Sequence, residues 1–138
     1  MHIQESAGGP RVLLVEDSLD EGEILQMALA DQGFVVFHVL SAEEALAGLA
    51  RLGGRELPDV IVFDLRLPGM GGAELSRALR EHPSWRRIPR VLVTGKSLVP
   101  HEETALGVNE IFQKPLDVLA LFSGLRRLAG LCQATTAA

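Results

Sequence analysis

Four short apolar runs, Val12-Leu13-Leu14-Val15, Val35-Val36-Phe37, Val60-Ile61-Val62-Phe63 and Val91-Leu92-Val93, recur along this chain at wide intervals. Runs of β-branched and large apolar residues without polar alternation predict strands buried on both faces. A weaker fifth run, Ile111-Phe112, stands just before Lys114-Pro115 and would complete a five-stranded sheet.

The intervals carry helical spacing. From Ser18 to Gln32, the residues Ile24, Leu25, Ala28 and Leu29 recur on one face and Gly33 supplies the stop. Ser41 followed by Glu44 is a capping box for a second helix, carried by Ala45, Leu46 and Leu49 and closed by Gly53-Gly54. A third runs from about Gly72 to Arg80 with Leu75, Ala78 and Leu79 inward. A short fourth starts near Pro100, which suits a first helical position, and ends before Gly107. The last runs from Pro115 to about Ala129, with Leu116, Leu119, Phe122 and Leu125 on its apolar stripe. Strands that alternate with helices are most simply joined in parallel by crossover helices. The expected class is therefore α/β, a parallel sheet with helices on both faces.

A length of 138 residues encloses one core and not two. Met1 to Gly9 reads as a flexible extension, residues 10–130 as the folded domain, and residues 131–138 as a short tail that leaves no room for an effector domain. No run approaches the roughly 20 apolar residues of a membrane helix, and no signal peptide opens the chain, so the expectation is a cytoplasmic protein with no membrane partner. A formal charge of -5 argues against direct contact with nucleic acid. The lone Cys132 excludes an internal disulfide and reads as a bystander thiol, and His2, His38, His82 and His101 lack metal-ligand spacing and read as surface or edge residues.

The polar residues that break the apolar pattern fall at the carboxyl ends of the predicted strands. Glu16-Asp17 follows the first, Asp64 closes the third, Thr94 closes the fourth and Lys114 follows the fifth. Ligands of open parallel sheets bind at that edge. Three carboxylates gathered there repel one another and call for a cation. Mg2+ suits an all-oxygen donor set and keeps several waters. Asp64, alone at the end of a buried strand, is placed as a nucleophile toward a phosphoryl group. Lys114 offers a positive charge and Thr94 a hydroxyl donor for the added oxygens.

In this order, Val12-Leu-Leu-Val-Glu-Asp-Ser18, Pro58-Asp-Val-Ile-Val-Phe-Asp-Leu-Arg-Leu-Pro-Gly-Met-Gly-Gly72, Ile88-Pro-Arg-Val-Leu-Val-Thr-Gly95 and Phe112-Gln-Lys-Pro115 resemble the receiver domain of two-component response regulators. The resemblance covers about residues 10 to 130. It implies a flavodoxin-like doubly wound sheet of order 2-1-3-4-5 with five helices. It further implies Asp64 as phosphoacceptor, Glu16, Asp17 and Asp64 with the backbone carbonyl of Arg66 as Mg2+ ligands, Thr94 as switch hydroxyl and Lys114 as the phosphate-pairing lysine. Pro115 resembles a family proline that often follows a cis peptide. The implied donor is a sensor histidine kinase or a phosphotransfer protein, acting on a switch whose downstream protein partner is unidentified. A phosphorylation-independent docking module is the alternative.

Departures from the family pattern carry their own expectations. Ile111 stands where the family has an aromatic switch residue, so coupling from phosphate to surface is expected to be altered or weak. Phe112 cannot replace it unless the strand register slips, because side chains alternate faces. The short Thr94–Lys114 segment makes such a slip conceivable and predicts a stunted fourth helix. Arg66 occupies the place where an aspartyl phosphatase carries its second aspartate, and Glu16-Asp17 would repel a dinucleotide.

Overall fold

A computed structural model describes residues 8–137, with side chains through residue 130. Most of the expected N-terminal extension, His2 and the side chain of Cys132 lie outside the described residues. The strands are β1 (Arg11–Val15), β2 (Val35–Val39), β3 (Val60–Asp64), β4 (Arg90–Thr94) and β5 (Glu110–Gln113). They alternate with α1 (Leu19–Asp31), α2 (Ala42–Ala50), α3 (Gly72–Glu81), α4 (Pro100–Leu106) and α5 (Val118–Ala137), and a 3-10 turn spans Gly54–Glu56. All strand pairs are parallel, in the order β2-β1-β3-β4-β5. The α/β doubly wound architecture read from the sequence is the observed one.

The alternation of side chains along each strand divides the core into two layers. Leu13, Val15, Ile61, Phe63 and Leu92 pack beneath α2, α3 and α4, through Ala45, Leu49, Leu75, Leu79 and Leu106. Val12, Leu14, Val60, Val62, Val91 and Val93 pack beneath α1 and α5, through Leu29, Leu121, Phe122 and Leu125. Ile111 joins the first layer and Phe112 the second, and Val93 pairs with Phe112 and Thr94 with Gln113. No register slip brings the aromatic ring to the Ile111 side. As expected, α4 is stunted, at seven residues.

Three sequence expectations are corrected. The second apolar run is not buried on both faces: β2 ends the sheet, and Phe37 is 51% exposed. Its outer edge is blunted by α1, where Gln26 Nε2 donates to the Val36 carbonyl at 3.1 Å. Ile24 does not face the core and is 69% exposed. Helix α1 instead turns Gly22, Leu25 and Leu29 inward, because a Cβ at Gly22 would collide with the His38 ring and only glycine lets the helix come that close. Leu119, expected on the last apolar stripe, is 73% exposed. Helix α5 begins only at Val118, and the buried stripe runs Leu121, Phe122, Leu125, Leu128 and Ala129. The helix also continues beyond Ala129 to Ala137, through residues such as Leu131, Gln133 and Ala134 with good helix propensity.

Half of the capping box expected at α2 forms as read, while the Glu44 side chain reaches one residue further back, to the Leu40 N–H rather than to that of the cap residue Ser41. Ser41 Oγ accepts from the Glu44 N–H at 3.0 Å, and Glu44 Oε1 accepts from the Leu40 N–H at 2.8 Å. Ser41→Ala should lower stability by about 1 kcal/mol, measured as a shift of the urea midpoint at unchanged slope. An unchanged midpoint would mean the cap is not needed to hold α2.

Candidate functional site

The carboxyl edge of the sheet gathers side chains that are far apart in the chain. Asp64 ends β3 with its side chain 14% exposed, and Lys114 follows β5 with its side chain 32% exposed. Fifty residues separate them, yet Lys114 Nζ donates to Asp64 Oδ2 at 2.9 Å. The same ammonium stands 3.8 Å from Glu16 Oε1 and 3.7 Å from Glu21 Oε1. Asp64 Oδ1 accepts from the Arg66 N–H at 3.0 Å, so each acceptor oxygen is held by a separate donor.

Glu16 and Asp17 follow β1 immediately, and Glu16 Oε2 accepts from the Ser18 N–H at 3.0 Å. Burial raises the Glu16 carboxyl above its ordinary range. The Ser18 N–H and Lys114 oppose that shift, while Asp17 and Glu21 reinforce it. Burial alone would lower Lys114, but the hydrogen bond and charge of Asp64, with Glu16 and Glu21, raise it overall. Asp17 itself is exposed. Glu16, Asp17, Glu21 and Asp64 against the single Lys114 leave three negative charges uncompensated. Like charges about 4 Å apart cost on the order of 4 kcal/mol at an effective dielectric near 20, so the arrangement favours a cation.

Thr94 is buried at the end of β4. Its Oγ1 accepts from the Lys96 N–H at 3.1 Å and its carbonyl accepts from the Lys114 N–H at 2.8 Å, so it is tied through the backbone to the edge that carries Asp64. Arg66 is exposed, in the loop after Asp64. The Lys114-Pro115 peptide is cis, as its sequence context suggests.

Three contributors escape a reading of strand ends. Glu21 lies in the first turn of α1, just after the cap residue Ser18, where an acid is also favoured by the helix dipole, so nothing in its position marked it as part of the site. His38, read as an ordinary edge histidine, closes against α1 and bonds the Glu16 carbonyl through Nε2 at 2.8 Å. It therefore braces the acidic turn. From α2, Glu43 Oε2 accepts from the Met70 N–H at 3.0 Å and steadies the loop that follows the acceptor.

A cleft of about 240 Å³ opens between α1 and the start of α5, reaching Glu16, Glu21, Asp64 and Lys114 over a floor of Leu14, Val62 and Val93. A larger hollow of about 650 Å³ lies against β2 and α2 and contains none of the sequence-predicted site residues. Among the described residues no cluster of three or more His, Cys, Asp or Glu side chains forms a ready-made metal cage. The acidic edge suits Mg2+, which takes one or two carboxylates and fills its octahedron with water and phosphate oxygens. No helix of the described residues is long and apolar enough to cross a membrane.

Comparison with known proteins agrees with this geometry. Residues 12–126 match the model of the family described as response regulator receiver domain. An uncharacterized 14.6 kDa protein of Leptolyngbya boryana is 35% identical over 112 residues, covering 80% of this chain and 82% of that protein. The response regulator PleD of Caulobacter vibrioides is 32% identical over 86% of this chain, which spans 26% of PleD's length. Among solved structures, the signal receiver domain of a histidine kinase from Syntrophus aciditrophicus superposes with a TM-score of 0.78 at 31% identity, covering 88% of this chain and 91% of that one. The receiver domain of the sensor histidine kinase PA1611 of Pseudomonas aeruginosa, described with magnesium in its active site cleft, superposes with a TM-score of 0.77 at 28% identity, covering 88% and 98%.

Proposed function

This chain belongs to the response regulator receiver domain family, and we propose that it works in two-component or phosphorelay signalling by accepting a phosphoryl group on Asp64. The observation that carries this reading is the Lys114 Nζ to Asp64 Oδ2 contact of 2.9 Å at an edge crowded with acids. The match over residues 12–126 supports taking residues 10–130 as the receiver domain.

The donor is the phosphohistidine of a sensor kinase or a phosphotransfer protein. A free lone pair on an Asp64 carboxylate oxygen forms the new O–P bond as the N–P bond of the donor breaks, and the imidazole leaves with its electron pair. The Arg66 N–H holds one oxygen in place and fixes the rotation of the carboxylate. Lys114 pairs with Asp64 before transfer and with phosphoryl oxygens after it. The Thr94 hydroxyl, held at the same edge, can turn its proton toward one of those oxygens. Glu16, Asp17, Asp64 and the Arg66 carbonyl are the groups that would hold Mg2+, which when bound neutralises the charge collecting on the phosphoryl oxygens. The site retains the acids, acceptor and lysine, so a docking role independent of phosphorylation is not favoured.

Incubated with acetyl phosphate and Mg2+, the protein should gain the mass of one phosphoryl group, and excess EDTA should suppress the gain. Equal labelling in EDTA would contradict the reading.

A further inference from the structure

The stretch from the second half of α3 to the first residue of β4 is charged against the rest of the molecule. From Arg77 to Arg90 it holds five arginines and one glutamate, so a chain of formal charge -5 carries +4 here and -9 elsewhere. Arg77, Arg80, Arg86 and Arg87 are exposed, and among the described residues none forms an ion pair, nor does Glu81.

The fold presses these cations together. Arg90 is half-buried and donates to the carbonyls of Gly107, Arg86 and Ile88 at 3.0 to 3.1 Å. Arg80 lies over the same Gly107, where a Cβ would sit 2.5 Å from its Nη1. Burial, and then the charge of Arg80, lower the Arg90 guanidinium, and no carboxylate acts in the opposite direction. Beside them Trp85, anchored on the core, stacks on His82 with centroids 3.6 Å apart. Ile61 pairs with Arg90, three residues below Asp64, which places this surface about 10 Å down the sheet from the acceptor at 3.3 Å per residue.

The geometry points to a docking surface for an acidic segment of a partner protein, whose carboxylates pair with Arg80, Arg86 and Arg87 while an apolar side chain rests beside the Trp85–His82 stack. Guanidinium forks match carboxylates two bonds at a time. A short acidic peptide meets only this patch. A membrane or a nucleic acid extends its charge beyond a Debye length of about 8 Å and meets the acidic remainder of the chain.

Trp85 is the single tryptophan, so its fluorescence reports binding directly. Titration of the full chain with acetylated hexaglutamate should shift the Trp85 emission saturably. The shift should weaken by roughly tenfold in Arg86→Ala/Arg87→Ala and again in Arg80→Gln, each removing guanidinium–carboxylate pairing. The double variant alters exposed side chains remote from Asp64 and should keep its urea midpoint and its labelling by acetyl phosphate. Absence of a saturable shift, or affinity in both variants unchanged from that of the parent chain, would overturn the proposal. So would tighter binding to phosphatidylserine vesicles or to oligothymidylate than to the peptide at matched anionic charge.

Discussion

Asp64→Asn should reduce labelling by acetyl phosphate by on the order of a thousandfold or more, which in practice is no detectable phosphoprotein. The amide keeps the shape of the carboxylate, and its oxygen can still accept from Lys114 Nζ or the Arg66 N–H. What it lacks is an anionic oxygen able to form an O–P bond. Intact-mass spectrometry after incubation in Mg2+ is the readout, with the urea midpoint as a check on folding. A variant that folds normally and retains the label would remove Asp64 from the mechanism.

A second large effect is expected at Gly72, the first residue of α3. Its missing side chain lets the helix start against the strand that carries the acceptor. A Cβ there would collide with the Asp64 carbonyl oxygen and come within 2.8 Å of Leu65 Cα, and both obstacles are backbone. The Gly72 N–H also bonds the Leu65 carbonyl at 2.9 Å, which locks the loop in place. Gly72→Ala should therefore cost on the order of 2 to 3 kcal/mol, the upper part of the range for overpacked sites. Thermal unfolding should fall by several degrees, and labelling at Asp64 should fall with it because the Asp64–Arg66 turn is displaced. Unchanged unfolding would mean the loop yields at no cost.

The parts legible in the sequence were those fixed by local pattern. Apolar runs gave the strands, Ser41 with Glu44 gave a cap, and the polar residues at the ends of four of the five runs gave the site, since the carboxyl edge of a parallel sheet collects the strand ends. Less legible were features that depend on how two elements approach. The spacing placed Leu25, Ala28 and Leu29 inward correctly, but Ile24 lies at the margin of that face and stays exposed, while Gly22 is the residue that closes on His38. Leu119 stands three residues from Phe122 in the sequence, but the stripe that α5 buries is centred on Leu121, Leu125 and Leu128 and leaves Leu119 exposed in the first turn. Phe37 sits in a run that looks fully buried, and nothing local says that β2 is an edge. Glu21 reaches Lys114 because the turn after β5 lies over the start of α1, a contact across 93 positions that no short-range pattern encodes. The brace from His38 to the Glu16 carbonyl has the same origin.

The central claim is that one carboxylate, Asp64, becomes an acyl phosphate. Borohydride reduces an acyl phosphate to an alcohol and so converts a phosphorylated aspartate to homoserine. Labelled protein treated this way, digested and sequenced by mass spectrometry, should carry homoserine at position 64 and nowhere else. Homoserine at Asp17 or another aspartate, or 5-hydroxynorvaline at Glu16 or another glutamate, in place of homoserine at position 64, or label that survives as a phosphate on a hydroxyl or imidazole, would contradict the account.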